Sequence, residues 1–212
     1  MRHLFLGLLL FSCFATHAQY NRKGAFHVAL GVAVGGHRTE YVQTSTILGV
    51  PIRVEDNDGA ATVLFPIDVQ YGVAKPVSLG LFLEPGSYLD SNATRSNSLV
   101  LFGFQPRGYI INNDRFTWFG SLQIGSGTLR INDTSGGVEE ESRYAGPFFG
   151  LGSGVGFLFG EHLGLQAHLR YMGSTLDLTE YSKGGSSVDL SAVEAELSTT
   201  GFSLQASLTF RF

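Results

Sequence analysis

The sequence predicts an all-β fold, a closed antiparallel eight-stranded up-and-down barrel that crosses a membrane. Three observations predict it. The chain ends on a strand with apolar residues at every second position, Phe202, Leu204, Ala206, Leu208, Phe210 and Phe212, separated by Ser203, Gln205, Ser207, Thr209 and Arg211. That is a two-faced β-strand. Seven earlier segments carry the same period of two. Only 15% of the 212 residues are charged, while Gly (28), Phe (17) and Tyr (8) are abundant, a poor match to a lysine-coated soluble domain.

The elements follow in order. Segment 25–35 sets Phe26, Val28, Leu30, Val32 and Val34 against His27, Ala29, Gly31 and Ala33. Segment 61–73 sets Val63, Phe65, Ile67, Val69 and Tyr71 against Asp68, Gln70 and Gly72. Segment 77–88 sets Leu79, Leu81 and Leu83 against Gly80, Phe82, Glu84 and Gly86. Segment 98–110 sets Val100, Phe102 and Phe104 against Gly103, Gln105 and Arg107. Segment 116–130 sets Trp118, Leu122 and Ile124 against Ser121, Gln123, Gly125 and Gly127. Segment 144–159 sets Phe149, Leu151, Val155, Phe157 and Phe159 against Gly150, Gly152, Gly154 and Gly156. Segment 163–173 sets Leu163, Leu165, Ala167, Leu169 and Tyr171 against Gln166, His168 and Arg170. The eighth is the terminal strand. Each reaches the ~9 to 11 residues of a tilted membrane strand. An even, closed, antiparallel set leaves no unpaired edge in lipid.

The connections alternate. Those at 74–76, 111–114 and 160–162 are tight, and those at 36–60, 89–97, 132–143 and 174–199 are long. Short turns on one side and long loops on the other suit the periplasmic and extracellular sides of a membrane barrel.

A soluble lipocalin-like barrel would also alternate, with its faces inverted. The kind of polar residue separates the two. The polar face here is Gly, Ser, Gln and Thr, which suits a cramped interior. No Lys, Arg, Asp or Glu stands on the apolar face of any strand core, as lipid contact requires. Trp118, Tyr71, Phe159, Phe210 and Phe212 lie near the short turns, and Phe65, Phe149, Tyr171 and Phe202 near the loops, as two aromatic girdles.

Residues 1–18 read as a cleaved signal peptide: Arg2 and His3, an apolar core from Leu4 to Phe14, and Thr16-His17-Ala18 as the cleavage site. The barrel domain is then 19–212. The other reading takes Leu10-Phe11-Ser12-Cys13 as a lipoprotein box with Cys13 lipidated. Under plain cleavage the mature chain keeps no thiol, and cysteine chemistry is excluded. The net charge of −4 offers no basic footprint for nucleic acid.

The pattern as a whole resembles the small eight-stranded outer-membrane barrels of the OmpA/OmpX type, the outer-membrane β-barrel domain proteins. The closing stretch resembles the signal read by the barrel-assembly machinery, carried by Gln205, Ser207, Phe210 and Phe212, with Ser207 where glycine is common. The resemblance implies the outer membrane of a Gram-negative-type bacterium, contact with lipid and lipopolysaccharide, a monomer, and roles in membrane integrity, adhesion or narrow permeation.

Inward charged residues are the candidate site. Asp68, Glu84, Arg107, Arg170 and Arg211, with His168, are expected to form a polar network filling the lumen, because buried charges must be paired and Arg suits carboxylate pairing. The glycines at 146, 150, 152, 154 and 156 never follow the G-x-G-x-x-G order. They read as a bare inner face making room for Phe82, Phe119 and the arginines. His27, His37, His162 and His168 lack metal-ligand spacing, and no cofactor is expected. The acidic loops (Glu55, Asp56 and Asp58; Glu139, Glu140 and Glu141; Asp177, Glu180, Asp189, Glu194 and Glu196) read as a solvated rim, with an extracellular ligand or cation bridge as the functional reading. The expected role is structural or surface-interacting, without catalysis. A narrow porin-like channel is the first alternative. The second is a lipid A acyl-chain hydrolase or transferase using Ser174 and His37.

Overall fold

The computed structural model describes residues 19–47, 50–90, 97–135, 137–190 and 193–212. The expected signal peptide, Cys13 and most of the expected connection at 89–97 lie outside these residues. Among the described residues, eleven strands form one antiparallel sheet: β1 (Phe26–Ile47), β2 (Val50–Leu64), β3 (Ile67–Ala74), β4 (Val77–Asp90), β5 (Asn97–Phe104), β6 (Arg107–Asn112), β7 (Phe116–Ser135), β8 (Val138–Leu158), β9 (Leu163–Lys183), β10 (Ser186–Ser187) and β11 (Val193–Arg211). β2 and β3 are one wall strand, as are β5 and β6, so the wall is a ring of eight. It closes where β11 pairs with β1, from His27 opposite Arg211 to Ser45 opposite Val193.

Two wall strands expected to be continuous are interrupted, at Phe65-Pro66 and at Gln105-Pro106. Proline has no N–H to give a ladder, so pairing breaks there. The stretches expected as long loops are the larger difference. Most of 36–60, 132–143 and 174–199 is strand, because β1, β2, β7, β8, β9 and β11 run on beyond the barrel as paired ribbons. Above the bilayer both faces of a strand meet water. The apolar alternation therefore fades, while β-formers such as Thr39, Tyr41, Val42 and Thr44 hold the ladder.

The two faces sort as the alternation predicts. Lipid-side residues are solvent-facing in the isolated chain: Leu81 and Leu151 are each 63% exposed and Phe202 61%. Their inward neighbours Phe82, Glu84, Gly150 and Ser203 are buried. A soluble protein does not leave so broad an apolar surface open, and this band fits hydrocarbon. Phe149, Tyr171 and Phe202 cluster on adjacent strands, with ring centroids 6.3 and 5.3 Å apart. At the other rim Phe26 and Phe212 lie 6.2 Å apart. No helix among the described residues is long and apolar enough to cross a membrane.

Glycine on the inner face of β8 is required by bulk. A Cβ on Gly154 would sit 2.5 Å from Phe119 Cζ, and one on Gly152 2.5 Å from His168 Nε2 and 2.9 Å from Arg170 Cγ. The bare strand makes space for the large groups that face it.

Candidate functional site

The lumen holds two layers of charge. In the one nearer the short turns, β3 presents Asp68 and β6 presents Arg107. The guanidinium donates to Asp68 Oδ2 at 2.9 Å, to Gln105 Oε1 at 2.7 Å and to Gln166 Oε1 at 3.1 Å. Gln205 Nε2 adds a donor to Asp68 Oδ2 at 3.1 Å. Arg107 also stands over the Phe119 ring, 4.9 Å from its centroid, a cation–π contact that desolvation strengthens.

In the second layer Arg170 from β9 pairs with Glu84 from β4. Gln123 from β7 binds both, accepting from Arg170 at 3.2 Å and donating to Glu84 Oε1 at 3.1 Å. Arg170 Nη2 reaches Ser203 Oγ at 3.3 Å. All four charged side chains are at most 2% exposed. His168 bonds Ser121 Oγ through Nε2 at 2.7 Å and packs on Phe119, ring centroids 5.4 Å apart. It stands between the layers but makes no hydrogen bond to either carboxylate.

Arg211 lies apart. It is at the inner rim, where Nη1 donates to the Gln19 carbonyl at 3.0 Å. Alternation places it on the inward face, but the strand end leaves it half-exposed at the mouth. Gln205 and Ser207 face the lumen and bond one another at 2.8 Å, while Phe210 and Phe212 face outward.

The outer half of the lumen is apolar. Leu64, Leu99, Leu101, Leu129, Phe148, Met172, Leu176 and Leu197 are all buried there. The leucines at 99, 101 and 129 lie within expected strands but on the face read as polar, and those at 176 and 197 lie beyond the alternating stretches, so nothing local marks them as lumen residues. A cavity of about 20 Å³ for water centres, room for about one molecule, is lined by Tyr88, Leu101, Phe148, Met172, His37, Ser174 and their neighbours. His37 and Ser174 both face it, yet His37 Nε2 bonds Thr62 Oγ1 at 2.9 Å and Ser174 Oγ bonds Thr199 Oγ1 at 2.9 Å.

The acidic rim is partly neutralised. Arg53 meets Glu55 at 2.7 Å, Arg130 meets Glu141 at 3.0 Å, Arg143 meets Glu180 at 3.4 Å and Lys183 meets Glu140 at 2.6 Å. These are exposed pairs of small individual worth. Hydrogen bonding to Lys183 holds the Glu140 carboxyl below its ordinary pKa and raises that of Lys183. No group of three or more His, Cys, Asp or Glu that could hold a metal occurs among the described residues.

No protein-family model and no curated protein sequence matches the chain. Solved structures do. The crystal structure of the outer membrane protein OprG from Pseudomonas aeruginosa is 13% identical and superposes with a TM-score of 0.61, covering 91% of this chain and 97% of that one. The solid-state NMR structure of the outer membrane protein AlkL in lipid bilayers is also 13% identical, with a TM-score of 0.52 and coverage of 91% and 92%. At such identity the likeness is one of fold: a small outer-membrane β-barrel.

Proposed function

We propose that this chain, which shares the fold of the small outer-membrane barrels, is an integral outer-membrane protein with a structural or surface-interaction role and a lumen sealed by side chains. The observation that supports the seal is the pair of buried contacts Arg107–Asp68 and Arg170–Glu84. A conducting pore turns its charges toward water. Here they are turned toward each other, and Gln105, Gln123 and Gln205 take up further donors and acceptors around them. The outward surface is the set of ribbons that rise above the membrane, with their mixed but mainly acidic rim as the place for an extracellular ligand. The strand carrying Gln205, Ser207, Phe210 and Phe212 is the segment offered to the assembly machinery, and the barrel works as a monomer in lipid and lipopolysaccharide.

Single-channel recording of the refolded protein in a planar bilayer tests the seal. Baseline current at neutral pH is expected. Sustained conductance would favour the second reading, a narrow small-solute channel, which draws support from the cavity beyond the ion pairs.

A further inference from the structure

We infer that residues 19–23 form a latch that seals the inner mouth of the barrel and can release without disturbing the wall. This segment precedes the first ladder pair of β1 and runs across the mouth. It ties the three short turns together. Tyr20 N donates to the Asn113 carbonyl at 2.9 Å, in the turn after β6. The Asn21 side chain donates to the Ala74 and Lys75 carbonyls at 2.9 and 3.1 Å, in the turn after β3. Asn21 and Asn112 bond reciprocally, backbone to side chain, at 2.9 and 2.7 Å. Arg211, which binds the Gln19 carbonyl, is itself bonded to His162 in the third turn at 2.7 Å.

One side chain enters the lumen. Tyr20 is fully buried and stacks on His27, with centroids 5.3 Å apart and planes 11° from parallel. It lies over Gly156, where a Cβ would come within 3.1 Å of its hydroxyl. Its hydroxyl also meets Gln166, the residue that accepts from Arg107. The latch therefore abuts the Asp68–Arg107 layer directly. Tyr20 fills the space between that layer and the periplasm.

Release needs only local change. Gly24 has φ +85° with open space around it, a left-handed turn that glycine adopts freely. Beyond Tyr20, Asn21 and Ala25, residues 22–24 are exposed. Gly24 N–H donates to the Gly72 carbonyl of β3 and Gly72 N–H to the Ala25 carbonyl, each at 2.8 Å, so residues 24 and 25 stay on the wall and the hinge falls there. Ahead of it the anchors are a handful of hydrogen bonds to the turns that water can replace, each of modest net worth. Such a segment opens at far lower cost than the wall ladder. The device rests on the sealed-lumen reading but is separable from it, because the ion pairs stand above the latch and block current whether it is docked or released.

Thiol protection tests the latch. Thr209 is fully buried beside Tyr20, and Cys13 is the single natural cysteine. The full chain carrying Cys13→Ser and Thr209→Cys is placed in lipid nanodiscs and treated with an anionic, membrane-impermeant methanethiosulfonate reagent. Protection is expected with the latch intact. Tyr20→Ala, and separately Asn21→Ala, should speed labelling at least about tenfold, as expected when a local opening equilibrium loses one anchoring side chain. Asn21→Ala keeps the Tyr20 ring and so separates undocking from mere loss of bulk. Rapid labelling with the latch intact overturns the inference. So does continued protection in both variants while the folded barrel keeps its heat-modifiable gel mobility. Bilayer current is expected to stay at baseline in every variant, and current through the unsubstituted protein would count against the sealed lumen alone.

Discussion

Arg107 donates to Asp68 at 2.9 Å across the lumen, with 2% and 0% of the two side chains exposed. They are 39 residues apart in sequence and sit on strands separated only by β4, so the inward curvature of the wall brings them together. A buried ion is tolerable when its partner and hydrogen bonds are present and costly when one is removed. Asp68→Asn, which keeps the shape but discards the charge, is expected to destabilise the folded barrel by about 3–5 kcal/mol. Urea unfolding in lipid vesicles measures it. A loss indistinguishable from zero would mean that water already screens the pair.

The second pair makes a parallel prediction. Glu84→Gln leaves Arg170 with only amide and hydroxyl partners and should lower the thermal unfolding temperature. The double variant Glu84→Gln with Arg170→Met should recover part of that loss, because no uncompensated charge stays buried. A double variant as unstable as the sum of its parts would place the value of Glu84 in packing.

Leu151 is 63% exposed at the middle of β8. On a water-facing surface arginine there would be nearly neutral. Against hydrocarbon it should cost about 2–4 kcal/mol. Refolding yield and unfolding free energy of Leu151→Arg in lipid decide between the two environments.

Gly154→Ala brings a methyl group to 2.5 Å from Phe119 Cζ and 2.9 Å from the Ala167 carbonyl. Overpacking of this kind costs about 1–3 kcal/mol. Combining it with Phe119→Leu should restore part of the loss, as measured by equilibrium unfolding of the three variants.

On the rim, Glu140 and Lys183 set opposite pH limits. Glu140 has a lowered folded pKa, so its contribution is present above the ordinary carboxylate value and fades as pH falls through the lowered one. Lys183 has a raised folded pKa, so its contribution is present below the ordinary lysine value and is lost as pH rises through the raised one. Amide exchange at the tip of the β8–β9 ribbon should be slowest between these limits. Lys183→Ala should flatten the acid side of that profile.

The parts of the barrel in lipid are legible in the sequence because hydrocarbon tolerates only apolar side chains on one face, so Leu79, Leu81 and Leu83 or Leu204 and Leu208 announce their side directly. The ribbons above are not, since Val42, Gln43 and Thr44 are all part-exposed whichever way they face, and the period fades. The interruptions at Pro66 and Pro106 are visible as residues, but not as breaks in pairing, until the partner strands are known. Inward charge is readable at Asp68 and Glu84 by parity alone. Which arginine meets which carboxylate depends on register, and Arg211, inward by parity, sits too near the strand end to join either pair and bonds the Gln19 carbonyl at the mouth instead. Tyr20 and Asn21 carry no local signal at all. Their hydrogen-bond partners lie 53 to 146 residues away, and only the folded barrel sets them side by side.

The chain has one tryptophan, Trp118, on the outward face and 41% exposed, which makes the orientation of the wall directly measurable. In vesicles containing brominated acyl chains, Trp118 fluorescence should be strongly quenched and indifferent to aqueous iodide. Quenching by iodide with no response to brominated lipid, or a folded chain that stays in water without lipid or detergent, would contradict the account.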